Sequence, residues 1–256
     1  MTFPTIPTVA AGRVLTVNQA NTTATRTFPD LSGLTKTPGD LLIAICVVYQ
    51  SGAAAGAVFS SWAGGGLTWT EFADLGGTTA NMSIGAAYTR AVTGSETGAV
   101  TVTQATVTGH ASMILLSIPG AHTTTAPEAA PIVHGTTAAA DPAAFDPAGW
   151  AAEDTLWIAV GGSGETAITG TWDGMSTAAP ANYTDRVDTN TPDSSVVGQA
   201  EAAVAFRQLN AASENVGTWT PDLSNARNSA TLIAVRPAAS TASPRWKWTA
   251  TQPQLR

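Results

Sequence analysis

Short apolar runs, each closed by Gly, Asn, Pro or Thr, recur along the chain at strand length. One of them, Leu41–Tyr49, is apolar throughout and of strand length. Further runs at 67–75, 82–91, 99–104 and 112–118 follow it. A second series lies at 155–160, 183–187, 196–206, 216–220 and 230–235. All are rich in Val, Ile, Thr and aromatic residues, so strands are predicted at each. The best helix candidate, 138–152, is interrupted by Pro142 and Pro147 and reads as loop or a single turn.

The two series match each other. Gly39-Asp40-Leu41-Leu42-Ile43-Ala44 matches Glu153-Asp154-Thr155-Leu156-Trp157-Ile158-Ala159 with a one-residue slip. Trp69-Thr70-Glu71-Phe72 matches Tyr183-Thr184-Asp185-Arg186 at an offset of 114. Ala87-Tyr88 matches Ala205-Phe206, and Ser112 through Pro119 matches Ala230 through Pro237, both at 118. One four-residue insertion between 183 and 206 reconciles these offsets, and chance would not preserve their order. The expected fold is all-β, an antiparallel β-sandwich of jelly-roll or concanavalin-like type, built from two pseudo-repeats. One pseudo-symmetric sandwich and two tandem sandwiches both satisfy the pattern. The expected organisation is an extended N-terminal arm at 1–38, repeat 1 at 39–120, a connector at 121–152, repeat 2 at 153–238 and a tail at 239–256.

Composition narrows the function. Only 11% of the 256 residues are charged, so solubility rests on Thr, Ser, Asn and backbone groups. The net charge of −7 disfavours general nucleic-acid binding, which needs a basic surface. No apolar run is long enough to span a membrane as a helix, and the N-terminus shows no secretory signal, so synthesis in a reducing cytoplasm is expected. The single cysteine, Cys46, rules out an internal disulfide and reads as a small buried hydrophobe.

Candidate chemistry is sparse. His110, His122 and His134 are spaced by twelve, a spacing that no metal or triad motif uses, and they read as turn or surface residues. No Gly-x-Ser-x-Gly elbow is present. The glycine clusters at 64–66 and 76–77 do not join a strand to a helix as phosphate loops do. Glu71 and Asp185 are the one carboxylate pair worth a glycosidase test, but their equivalence in the two copies points to a shared structural task. Neither catalysis nor a metal or cofactor is expected.

The tryptophans carry the remaining signal. Trp62, Trp69, Trp157, Trp172 and Trp219 fall in or beside strands, where core packing is the first expectation. Trp62 and Trp172 are also the candidates for sugar stacking if exposed at loop tips. Arg245-Trp246-Lys247-Trp248 lies beyond the last strand, in a tail too polar to form a core, and reads as an anchor that buries on a neighbouring subunit.

The repeated elements resemble a β-sandwich family found among phages of actinobacteria and their hosts. Its halves read Gly-Asp-Leu-Leu-Val-Ala, a Trp-Thr strand, a Tyr-x-x-Ala strand and an apolar strand ending in Gly or Arg-Pro. Here these are residues 39–44, Trp69-Thr70, Tyr88 to Ala91 and Ile118-Pro119-Gly120. In the second half they are 154–159, Tyr183-Thr184, Phe206 and Val235-Arg236-Pro237. The likeness covers about residues 25–238 and has no catalytic residues to carry over. It implies a virion structural protein, a minor tail or tail-tip component that forms a homo-oligomer (trimers are common in such modules) and meets other virion proteins. Its place would be the tail or capsid exterior. Capsid decoration is the alternative within that class. A carbohydrate-binding module for host cell-wall glycans is the alternative outside it.

Overall fold

The computed structural model describes residues 2–21, 24–49, 59–76, 82–104, 109–135, 140–165, 180–190, 199–219 and 227–239. The architecture is all-β, with three antiparallel sheets and, among the described residues, a single 3₁₀ turn at Leu31–Gly33. In the central sheet, β1 (Val14–Asn21), β9 (Gly109–Ile118), β3 (Leu41–Tyr49), β7 (Met82–Arg90) and β6 (Thr70–Gly76) lie side by side in that order. An outer sheet of β2 (Thr25–Asp30), β8 (Ala99–Gln104), β4 (Phe59–Gly64) and β5 (Leu67–Thr68) covers one of its faces. The third sheet covers the other face. In it β15 (Arg227–Val235), β12 (Glu153–Glu165), β14 (Gln199–Ala211) and β13 (Thr184–Asn190) are neighbours. The short β10 (Glu128–Ala129) and β11 (Val133–Gly135) both pair with β15.

The unbroken apolar run of β3 follows from this layering. Leu41, Ile43, Ile45, Val47 and Tyr49 pack with Leu156, Ile158, Val160 and Phe206 of the third sheet. Leu42, Ala44, Cys46 and Val48 pack with Phe28, Phe59, Val100 and Val102 of the outer sheet. Both faces of the strand exclude water, so polar alternation is lost.

Strand register confirms the duplication and corrects its extent. Ile43 stands opposite Tyr88 and Leu116, while Ile158 stands opposite Phe206 and Ile233. The one-residue slip in the Gly-Asp match is therefore real. The closing strand, however, aligns at 117 rather than 118. An offset of 118 would turn every side chain to the wrong face, and burial forbids that. A β-bulge interrupts β6 between Glu71 and Ala73, and another interrupts β13 between Thr184 and Val187, after the equivalent pairs Thr70–Tyr88 and Thr184–Phe206.

The repeats also begin earlier than the sequence suggested. Residues 14–21, assigned to a free arm, form the edge strand β1 on β9. Residues 128–135, assigned to a connector, form β10 and β11 in the same place on β15. Each copy therefore contributes a five-position sheet in one order. The two sheets meet through equivalent faces. β3 lies against β12 and β14, β7 against β12 and β15, and β9 against β14, which is the pattern of a pseudo-twofold axis. Of the two arrangements left open by the sequence, this is the pseudo-symmetric sandwich, with a sheet from each repeat. Position 67–75 is also not one strand: the chain changes sheets at Trp69, leaving β5 outside and β6 in the centre.

The motif aspartate has a structural partner set. Asp40 accepts hydrogen bonds from Arg13 Nη1 at 2.8 Å, from the Thr37 backbone at 2.9 Å and from the Thr37 hydroxyl at 2.8 Å. In the second copy Glu153 pairs with Arg236 at 2.7 Å. These ion pairs pin the same end of each sheet.

Candidate functional site

Trp62 lies in the core between the outer and central sheets, 9% exposed, with ring centroids of Phe28 and Phe59 each 6.0 Å away. Its indole N–H donates to Glu71 Oε2 at 2.6 Å. A ring so enclosed offers no open face on which a sugar could stack, because the outer sheet closes over it. Trp69 is likewise buried, donating to the Gly64 carbonyl at 3.1 Å.

Glu71 and Asp185 occupy the two equivalent bulges. Glu71 holds the Trp62 indole, and Asp185 sits at φ +52° with the Thr184 hydroxyl donating to its carboxylate at 2.9 Å. They stand at opposite lateral seams of the sandwich, β6 beside β10 and β13 beside β1. The central sheet between those seams is four strand spacings wide, about 19 Å. A glycosidase pair needs roughly 5–9.5 Å, so these two carboxylates cannot flank one bond.

The histidines are dispersed. His110 is buried on β9 opposite Tyr49. His122 Nδ1 accepts the Thr125 N–H at 3.0 Å in a turn. His134, on β11, lies 2.6 Å from the Ser229 hydroxyl, and burial lowers its pKa. Among the described residues no group of three His, Cys, Asp or Glu could hold a metal, and no helix is long and apolar enough to cross a membrane. Cys46 is fully buried, as its run predicts, and burial pushes its thiol up to about 12. Sequence reading missed Arg26, fully buried beside it on β2, with Nε donating to Gln104 at 3.1 Å.

The two lateral seams give the clearest local contrast. At the β1–β13 seam, Ser112 Oγ lies 2.8 Å from Asn18 Oδ1 and 2.7 Å from the Ala200 carbonyl oxygen, and the Thr189 hydroxyl donates to Asn18 at 2.8 Å. Arg186 pairs there with Glu201 and Asp188, each at 3.3 Å. At the equivalent β6 seam, β10 and β11 are separated by Ala130-Pro131-Ile132, where β1 is continuous. A cleft of about 270 Å³ opens between that break and β6, lined by Phe72, Ala73, Asp74, Ala129, Pro131 and Ile132. Phe72 stands where Arg186 stands in the other copy, and Asp74 where Asp188 stands. Asp74 accepts the Phe59 N–H at 3.3 Å and forms no ion pair among the described residues. Desolvation, opposed by that N–H and reinforced by nearby Glu71, raises its pKa to about 6. The cleft is smaller than most small-molecule pockets, which span about 300–1,000 Å³, and suits a single large side chain. Only the Ala-Pro interruption signals it in the sequence.

Trp172 and the tail residues Arg245, Trp246, Lys247 and Trp248 lie outside the described residues. No family model, curated protein or solved structure matches the chain.

Proposed function

We propose that the chain is a phage virion structural protein, a minor tail or tail-tip component that works by packing against copies of itself and other virion proteins. One observation carries this reading: each repeat places one sheet face on the other repeat and covers the opposite face within the same chain. The broad faces are thus occupied internally. What remains for neighbours is the seams, the ends and the tail. The tail supplies Arg245, Lys247 and Arg256 and no acid, so the other 238 residues carry a net charge of −7 − 3 = −10. A basic, tryptophan-bearing tail on an acidic body favours association between copies.

Sedimentation of the full-length chain is expected to give a homo-oligomer, and Trp246→Ala with Trp248→Ala is expected to give folded monomers. An unmodified chain that is monomeric at all concentrations would overturn assembly through the tail. Immunogold labelling of particles tests the location. Label at the tail fits the proposal, label over the head converts it to capsid decoration, and particles without label reject a virion role.

A further inference from the structure

The β6 cleft combines three features that its symmetric counterpart lacks. It is open, because the strand that should fill it is broken at Ala130-Pro131. It is largely apolar, with Phe72 held edge-on to Tyr88 at 5.8 Å, so one wall is a fixed aromatic surface. Its lining holds one acid, Asp74, and the Arg186-type cation of the other seam is replaced by Phe72. An apolar hole of about 270 Å³ with an aspartate and no cation in its lining suits a large aromatic flanked by positive charge.

The chain itself contains such a segment. Arg245-Trp246-Lys247-Trp248 alternates two indoles with two cations and adjoins no other charge until Arg256. The tail also starts close to the cleft's edge of the sheet. Ala129 pairs with Ile233 on β15, and six residues later the described chain ends at Ala239, with Ala238 N–H bonded to the Gly120 carbonyl at 2.8 Å. Those six residues lead away from the cleft, over a distance of at most about 20 Å. For the same molecule's Trp246 to return, seven residues spanning at most about 24 Å would have to reverse at the root and run back along the sheet. A tail arriving from another copy meets no such limit.

We infer that the cleft between β6 and the Ala129–Ile132 break is the socket for the Trp-Lys-Trp tail of a second copy, one indole entering the cleft and the adjacent cation facing Asp74. The inference rests on the proposed assembly through the tail and adds the surface that receives it. Continued from copy to copy, a tail-into-cleft contact is heterologous, so it builds a closed ring where the rotation permits.

Two full-length variants test it, Ala129→Cys at the rim and Thr249→Cys beside the second indole. Native Cys46 is fully buried and does not compete. A seated tail brings positions 129 and 249 within reach of the 4.4–6.8 Å that a disulfide spans between Cα atoms, or a short bismaleimide where the indole holds them slightly further apart. The mixed variants are expected to give a cross-linked heterodimer on a denaturing gel. Adding Trp246→Ala and Trp248→Ala should reduce its yield at least tenfold. No heterodimer, with the unmodified chain still oligomeric, would overturn the socket and leave the assembly reading standing. A monomeric unmodified chain would remove both. Cross-linking confined within one chain, in a dilute variant carrying both cysteines, would overturn the second copy as the donor.

Discussion

The two repeats build the same sheet but cover its outer face differently. In repeat 1 the cover is a hydrogen-bonded sheet, β2, β8, β4 and β5. In repeat 2 the described cover is irregular chain carrying Trp150, Tyr183, Val216 and Trp219. Two isolated bridges survive there, Ala140–Trp219 and Phe145–Glu214, and both fall in one antiparallel register. They stand where β2 pairs with β8 in the first copy. What duplication preserved is the face shared by the repeats; the outer cover was free to exchange ladder hydrogen bonds for aromatic burial. The largest expected effect follows from that exchange. Trp219→Ala removes a 1% exposed indole from a cover with few other anchors and should cost about 4 kcal/mol. Val102→Ala, at the matching place in the regular sheet, removes two methyl groups and should cost about 2 kcal/mol. Urea titration compares them directly. A smaller loss for Trp219→Ala would mean that the aromatic cover does not hold repeat 2.

The shared face shows a second difference. Near the pseudo-twofold axis, equivalent residues meet each other, so identical copies would oppose identical side chains. Val47 and Tyr49 of β3 correspond to Gly162 and Gly164 of β12, by the register that equates Ile43 with Ile158. A Cβ on Gly162 would fall 2.7 Å from Val47 Cγ1, and one on Gly164 would fall 2.4 Å from the Tyr49 ring. One copy supplies the side chain and the other the space. Gly162→Ala should therefore cost about 2 kcal/mol through overpacking. Combining it with Val47→Ala should recover about 1 kcal/mol relative to the sum of the single changes. Strict additivity in a double-mutant cycle would show that the two positions do not share a contact.

The sequence made the buried strands legible and left the edges obscure, for a physical reason. β3 and β7 are enclosed on both faces, and β8 alternates cleanly along Ala99–Gln104, so period and composition reveal them. β4 carries Ser60 and Ser61 at a bulge, with Ser61 at φ +55°, and its two-residue period is broken there. β1 and its counterpart β10–β11 share almost no residues, Val-Leu-Thr-Val-Asn-Gln-Ala-Asn against Glu-Ala-Ala-Pro-Ile-Val-His-Gly. An edge strand needs backbone pairing more than a particular side chain, so self-similarity faded where each repeat begins. Ser95-Glu96 and Ser213-Glu214 preserve the offset of 118 and were the available sign that the copies continue between β7 and β8. Enclosure of Trp62 depends on a second sheet folding over it, which a local pattern does not encode. The cleft likewise exists only because Pro131 interrupts a strand whose partner seam lies on the other side of the sandwich.

The smallest expected effect separates the two seams by charge. Asp188 has Arg186 at 3.3 Å, whereas its counterpart Asp74 is half-buried without such a cation. An ordinary aspartate in the unfolded chain titrates near about 3.9. Asp74, raised to about 6, therefore holds its proton longer in the folded state than in the unfolded one. Between those two values the folded state binds more protons, so its stability falls as pH rises from about 4 to about 6 and stays lower above that. Asp74→Asn keeps an acceptor for the Phe59 N–H and removes the ionisation. After discounting for solvent screening at a half-exposed group, it should stabilise the isolated chain by about 1 kcal/mol at pH 7.5 and by nothing at pH 4. Asp188→Asn should do the reverse at pH 7.5, losing less than about 1 kcal/mol with its ion pair. Urea midpoints of both variants at the two pH values decide the matter. An equal change for Asp74→Asn at both pH values, or a loss at pH 7.5, would show that Asp74 is not held against its charge. The β6 seam would then differ from the β1–β13 seam in shape alone.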